Sequence, residues 1–186
     1  MRSRAEADTR RLCCRRPREA DHPDYAALFL DPAVGRWLRP PPLEPLGSRD
    51  VSRILEHDLL HWQQHRFGPW VLCSRDDGSF IGRGGLAWTR VEGRPMVELP
   101  WSLLPEAQGR GLATESADAA ISMASGLGLK HVVSLALVDN SASRRVMEKI
   151  GLSYEREVAH FGLAHVLYGI DLRVWRGDRS AGTPDG

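Results

Sequence analysis

Residues 105–115 read Pro-Glu-Ala-Gln-Gly-Arg-Gly-Leu-Ala-Thr-Glu, and within them Gln108-Gly109-Arg110-Gly111-Leu112-Ala113 has the form Q-x-x-G-x-A. Glycine reaches backbone conformations closed to other residues and lets a ligand approach the main chain. Where such a run opens a helix, the unpaired N–H groups of the first turn and the positive end of the dipole converge, which suits a phosphate. The spacing is neither the dinucleotide loop G-x-G-x-x-G nor the nucleotide loop G-x-x-x-x-G-K-[S/T]. Downstream, Asn140-Ser-Ala-Ser143-Arg-Arg-Val-Met-Glu-Lys-Ile-Gly151 offers an amide and a hydroxyl at a helix start. Those groups can cap the helix or reach a ligand. Glu98 lies ahead of the glycine loop, where a carboxylate could accept a proton.

These groups need strands and helices to hold them. Met96 to Leu104 reads as a strand that carries Glu98 towards the loop. Ala113, Ala117, Ala120, Ile121 and Ala124 recur at helical spacing and form a small-residue face suited to packing closely on a sheet. His131 to Val138 is apolar almost throughout, the pattern of a strand covered on both faces. A helix from Ser141 to Lys149 follows, closed by Gly151.

Upstream, residues 9–16 read as a strand with Leu12 and Cys14 on one face. Asp21 and Pro23 start a short helix, with Asp21 as its cap. A proline-stiffened loop spans 39–47. Ser48 then caps a helix on which Val51, Ile54, Leu55, Leu59 and Trp62 share a face. His57, His61 and His65 stand four apart on that helix and read as a solvated polar stripe. Strands at 70–74 and 80–88 flank an Asp76-Asp77-Gly78 turn. Three glycines in the second of these mark a bulge or a close approach. A last strand begins at His165. The order β-α-α-β-β-β-α-β-α-β is an α/β arrangement. An arm over 1–8, one domain over 9–176 and a disordered tail over 177–186 are expected.

Composition narrows the function. With 25 Lys and Arg against 24 Asp and Glu, the formal charge is +1, so no global field favours nucleic acid or a membrane surface. The arginines crowding the first 18 residues read as a solvated strand edge. No apolar run approaches the ~20 residues of a membrane span. No apolar leader is present, so a cytoplasmic protein is expected. Cys13, Cys14 and Cys73 have no metal spacing, and an odd count in this lysine-poor, bacterial-looking chain suits a reducing compartment. No metal is expected.

The loop at 108–113 and the N-x-x-S-x-x-V-x-E-K-x-G block at 140–151, in that order and at that separation, resemble two motifs of the GCN5-related N-acetyltransferases (the GNAT superfamily). The second motif is similar to that of the branch containing the ribosomal-protein N-terminal acetyltransferases. The resemblance covers about Thr9 to Trp175. It implies a mixed, mostly antiparallel sheet of about six to seven strands with a splayed central pair, flanked by about four helices. It also implies acetyl-CoA as co-substrate and a primary amine as acceptor, either a small molecule or a protein N-terminus. Homodimers are common in that family.

The resemblance also assigns roles. Trp101, Ser102 and Leu103 would pair with the pantetheine arm, and Pro100 fits the family's bulge. Gln108, Gly109, Arg110, Gly111, Leu112, Ala113 and Thr114 would hold the pyrophosphate. Asn140 and Ser143 would reach the pantetheine and sulfur. Glu98 is the candidate base, and Glu92 a weaker one. Val97 falls where some relatives carry the acid, and a slip of one residue would turn Glu98 to the other sheet face. Many members carry a tyrosine where this chain has Met147, so Ser143 becomes the candidate proton donor. Tyr154 and Tyr168 stay unassigned. Trp37 and Leu38 are either an acceptor rim or core. The competing reading is a catalytically weak coenzyme A-binding sensor or partner module, and a larger acyl donor is a third.

Overall fold

The computed structural model describes residues 6–175. The expected tail at 177–186 lies outside the described residues. So does most of the expected arm, although Ala7–Asp8 (β1) pairs with the next strand, Leu12–Arg15 (β2).

Three helices follow: His22–Phe29 (α1), Pro32–Gly35 (α2) and Ser48–Gln64 (α3). Asp21 stands at the cap of α1, but its carboxylate turns back to accept from the Arg18 N–H and the Arg15 guanidinium. Gly47 caps α3 in place of Ser48, and Asp50 accepts its N–H at 2.9 Å.

The remaining elements are Pro69–Ser74 (β3), Phe80–Gly85 (β4), Ala87–Val91 (β5), Arg94–Glu98 (β6), Ser102–Leu103 (β7), Leu112–Gly126 (α4), His131–Leu137 (β8), Ser141–Lys149 (α5), Ser153–His160 (β9) and Leu163–Asp171 (β10). They form two five-stranded sheets, ordered β1-β2-β3-β4-β7 and β5-β6-β8-β10-β9. All pairings are antiparallel except β6 with β8.

The strands follow the expected set, with the short β1 added and three further local differences. Gly85, at φ +105°, breaks one predicted strand into β4 and β5. Leu99 to Trp101 break another into β6 and β7, where Pro100 has no N–H to donate. The strand β9 was not expected at all, because its Tyr154-Glu-Arg-Glu157 run is polar on both faces.

Period-two alternation puts the first sheet between helices. Val71 and Cys73 face Tyr25, Leu28, Val51 and Leu55 of α1 and α3. Trp70 and Leu72 face the opposite way, into a core shared with Ala117, Ala120 and Ile121 of α4. The strand β8 is covered on both faces, as its sequence indicated: Val132 and Ala136 join the main core, and Val133 joins Val91, Val158 and Leu167. Gly82 packs directly under β7, where a Cβ would press on the Ser102 carbonyl. The close approach marked by that glycine is therefore to the chain itself.

Candidate active site

The break after β6 creates the site. Glu98 is still paired with Val133 of β8, and the Leu99 N–H donates to the Val133 carbonyl at 2.8 Å. Beyond it the chain crosses to the other sheet, so β7 pairs with β4. The buried Ser134 hydroxyl donates to the Leu99 carbonyl at 3.0 Å and holds the parting point. Between the parted strands lies a cavity of about 950 Å³.

The strand β7 presents an open edge to this cavity. The Leu104 N–H is bonded to the Ile81 carbonyl at 3.0 Å. Successive residues of an antiparallel strand turn their backbone groups to alternate edges, so Leu103 directs its own away from β4. Its carbonyl accepts from the Gln108 amide at 3.0 Å. Trp101, Ser102 and Leu103 all line the cavity.

The glycine loop closes one end. Gly109 and Gly111 sit at φ +72° and +76°, a left-handed backbone that favours glycine. The N–H of Glu115 donates to the Gly111 carbonyl, which leaves those of Leu112, Ala113 and Thr114 ahead of the helical ladder. Gln108, Gly109, Gly111 and Leu112 to Thr114 line the cavity, whereas Arg110 does not.

The loop is braced from β2's side. Arg11 donates to the Arg110 carbonyl at 2.9 Å and to Glu115 at 2.7 Å, and Thr9 donates to the same carboxylate. Burial would raise the Glu115 pKa, but these bonds from Thr9 and Arg11 prevail and hold it below its ordinary value. Sequence reasoning took the N-terminal arginines as a solvated edge and missed this contact.

The helix α5 lines another wall. Asn140 caps it, its side-chain oxygen accepting from the Ser143 N–H at 3.0 Å. Asn140 and Ser143 both face the cavity. Met147 is fully buried in the main core. Tyr168 is core as well, donating to Glu148 at 3.2 Å, while exposed Tyr154 packs edge-on against it.

Glu98 faces the cavity, and Val97 points into the core. Burial pushes the Glu98 carboxyl up to about 7, against the opposing charge of Arg83 and a hydrogen bond from Thr89. Glu92 does not line the cavity; it sits in the turn after β5 and meets Arg156 at 3.2 Å.

Behind Glu98 lies a network the sequence did not reveal. Arg83 of β4 makes a two-pronged bond to Asp58 of α3, at 2.6 and 2.7 Å. Tyr25 donates to the same carboxylate at 2.8 Å. Asp58 is fully buried. Burial alone would raise its pKa, but the charge and bonds of Arg83, with His57 and Tyr25, hold it lowered.

The helix also corrects the polar-stripe reading. Only His57 is exposed, while His61 is buried. Its Nδ1 donates to the Phe67 carbonyl and its Nε2 accepts the Trp88 N–H, both at 2.9 Å. Desolvation and neighbouring His65 lower its pKa to about 4, so it stays neutral and pins α3 to the start of β5. Trp37 and Leu38 line the cavity rim.

Comparisons with known proteins agree with this geometry. The model of the acetyltransferase (GNAT) domain family matches residues 11–153. The chain is 28% identical over 149 residues to the uncharacterized N-acetyltransferase YoaA of Bacillus subtilis (strain 168), covering 80% of this chain and 82% of YoaA. The acetyltransferase of Agrobacterium tumefaciens strain C58 superposes with a TM-score of 0.77 at 25% identity, over 89% of this chain and 93% of that one. RimJ of Mycobacterium smegmatis, solved in complex with a coenzyme A disulfide, gives 0.69 at 17% identity, over 89% and 86%. A profile match over most of the domain, on a fold whose central strands part around a glycine loop, places the chain in the GNAT acetyltransferase family.

Proposed function

We propose that the protein is an acetyl-CoA-dependent N-acetyltransferase acting on a primary amine, either a small molecule or a protein N-terminus. The observation that carries this reading is Glu98. Its carboxyl titrates near neutrality on a cavity wall, where β6 parts from β8.

Support for the co-substrate comes from the loop. A Cβ at Gly109 would meet nothing within 4 Å, and the N–H groups of Leu112 to Thr114 stand ahead of the helical ladder. Gly109 to Thr114 would hold the pyrophosphate, and the open edge of β7 at Leu103 would ladder with the pantetheine amides. Asn140 reaches the same arm. Bound acetyl-CoA supplies an acyl carbon activated as a thioester.

Glu98 takes the proton from the acceptor ammonium as pH rises through about 7. The freed nitrogen lone pair forms the new C–N bond, and the C–S bond breaks. The Ser143 hydroxyl gives a proton to the departing thiolate, a role that Met147 cannot fill, and the second proton that the nitrogen sheds as the amide forms restores that hydroxyl.

Titration calorimetry with acetyl-CoA tests the reading, run beside Gly111→Glu. That variant puts a charged side chain on a left-handed backbone, in front of the N–H groups. Saturable binding by the wild type that the variant loses, followed by amine-dependent thiol release, is the expected result. A folded wild type that binds no acetyl-CoA would remove the assignment. Binding without turnover on any amine would leave a coenzyme A-binding module.

A further inference from the structure

Where β6 parts from β8, one sheet face beside Glu98 is left partly uncovered. Strand register fixes which side chains stand on it. Glu98 pairs with Ala87 and with Val133, Leu137 with His165, and Leu163 with His160. Thr89, Leu135, Leu137 and Leu163 therefore share the Glu98 face, whereas Trp88 and Arg90 lie on the other. Leu135, Leu137 and Leu163 are half-buried and line the cavity. The helix α3 stands over the same face, because Arg83, bonded to its Asp58, also opposes the charge of Glu98. Asp50, Arg53, Ile54 and His57 recur at helical spacing on α3 and line the cavity, as do Trp37 and Leu38 from the loop after α2.

The charges of this chamber are answered within the protein. Arg39 makes a two-pronged bond to Asp50 at 3.0 and 2.8 Å, and Arg53 adds its charge to the same carboxylate. Arg83 makes a two-pronged bond to Asp58 and faces Glu98. Arg39, Arg53 and Arg83 are thus balanced by Asp50, Asp58 and Glu98. What stays unmatched is apolar. Leu38 is 42% exposed, and Phe161, at the tip of the β9–β10 hairpin, is 89% exposed while lining the cavity. Phe161 and Gly162 both have positive φ, +49° and +75°, in a two-residue turn that favours asparagine and glycine. A bulky side chain on such a backbone is rare. The turn sets the Phe161 ring beside that of His160, with centroids 4.2 Å apart. Burial and neighbouring His165 lower the His160 pKa, so this ring adds no charge at neutral pH.

Exposed apolar side chains around a reacting carboxylate suit a ligand with an apolar surface of its own. An acceptor with a second charge would find its partners already paired, and a small polar amine would leave the apolar groups in water. From this balance we infer that the acceptor is a primary amine on an apolar body without further charge, its nitrogen towards Glu98 and its body against Phe161, Leu163, Trp37 and Leu38. The inference rests on the acetyl-transfer reading of the same cavity. The shared chemistry is that of an arylalkylamine or of a peptide N-terminus with a large apolar first side chain.

The test measures thiol release by the full chain at saturating acetyl-CoA. One arm compares 2-phenylethylamine with ethanolamine. A second compares the tetrapeptide amides Phe-Ala-Ala-Ala and Ser-Ala-Ala-Ala, with spermidine as the charged control. The expected result is a kcat/KM about ten-fold higher for the apolar member of at least one arm, with spermidine lowest. The arm that shows it identifies the source. Phe161→Ser should erase most of the preference through KM, and Phe161→Leu should retain most of it, with acetyl-CoA affinity by calorimetry unchanged in both. Phe161 is so exposed that neither variant should melt lower than wild type. Equal or faster turnover of the polar or charged acceptors, or a preference that Phe161→Ser leaves intact, would overturn the inference and leave acetyl transfer standing. Faster turnover with hexanoyl-CoA than with acetyl-CoA, lost in Phe161→Ser, would give the apolar surface to the acyl chain and overturn it likewise. A chain that binds acetyl-CoA but acetylates no amine would overturn the amine reading beneath it, and the inference with it.

Discussion

The two ends of the cavity are built by different means. At the loop end, main-chain N–H groups from one contiguous stretch are placed to hold a ligand, and the side chains of Arg11 and Glu115 brace the loop from outside. At the acceptor end, side chains from five separate elements converge: Glu98 on β6, Thr89 on β5, Arg83 on β4, Asp58 on α3 and Tyr25 on α1. A site made of backbone depends on conformation and tolerates many side chains. A site made of side chains depends on each group and on its charge.

If that contrast is right, removing one carboxylate at the acceptor end should cost most. Glu98→Gln is expected to lower kcat/KM by roughly 10²–10⁴-fold, with acetyl-CoA affinity by calorimetry nearly unchanged. The wild-type profile of log kcat/KM should rise with pH and level off above about 7, where Glu98 is ionised. Stability should run the opposite way. The folded carboxyl titrates above its ordinary value of 4.5, so ionisation favours the unfolded chain. That penalty is absent below the ordinary value, grows up to about 7 and is then constant. Glu98→Gln should therefore melt higher than wild type in mild alkali and match it in acid. A variant that turns over normally would dissolve the contrast.

Asp58→Ala probes the same end through its support. It would leave the Arg83 guanidinium, 13% exposed, without its counter-charge, and Tyr25 without an acceptor. Breaking a buried pair from one side costs about 3–5 kcal/mol, readable as a lower urea midpoint. Asp58→Asn keeps an acceptor for both and should lose less. In a variant that still folds, the unneutralised Arg83 charge should pull the kinetic midpoint of Glu98 downward. An unmoved midpoint would separate the network from the chemistry.

The same division decided what could be read from the sequence. The loop end was legible because its requirements are local: glycines at fixed offsets, a strand before them and a small-residue helix face after them. The Asn140 cap and the doubly covered β8 were legible for the same reason. Glu98 became a candidate through its place on the strand before the loop and the family resemblance, and its register stayed open until pairing with Ala87 and Val133 set its face. Asp58 and Arg83 are 25 residues apart and meet only because α3 crosses β4. No spacing announces that contact. His61 was misread likewise, since its two partners, the Phe67 carbonyl and the Trp88 N–H, are backbone groups that no side-chain pattern encodes. The strand β9 escaped because an edge strand with one buried residue, Val158, carries almost no hydrophobic alternation.

The smallest effect should come from the brace at the loop end. Glu115→Ala removes the acceptor shared by Thr9 and by the Arg11 backbone and guanidinium. The Arg11 and Glu115 side chains are 35% and 16% exposed, so water competes for the pair, and such contacts contribute about 1 kcal/mol or less. The loop's left-handed glycines and the first turn of α4 keep their own geometry without it. Acetyl-CoA affinity should then fall only about three-fold, as the Arg11 contact to the Arg110 carbonyl loosens, and kcat at saturation should not change. The pH midpoint should also stay in place, because Glu115 is not among the groups that shift Glu98. A large loss of kcat in this variant would mean that the brace communicates with the acceptor end, and the two regions would have to be treated as one coupled unit.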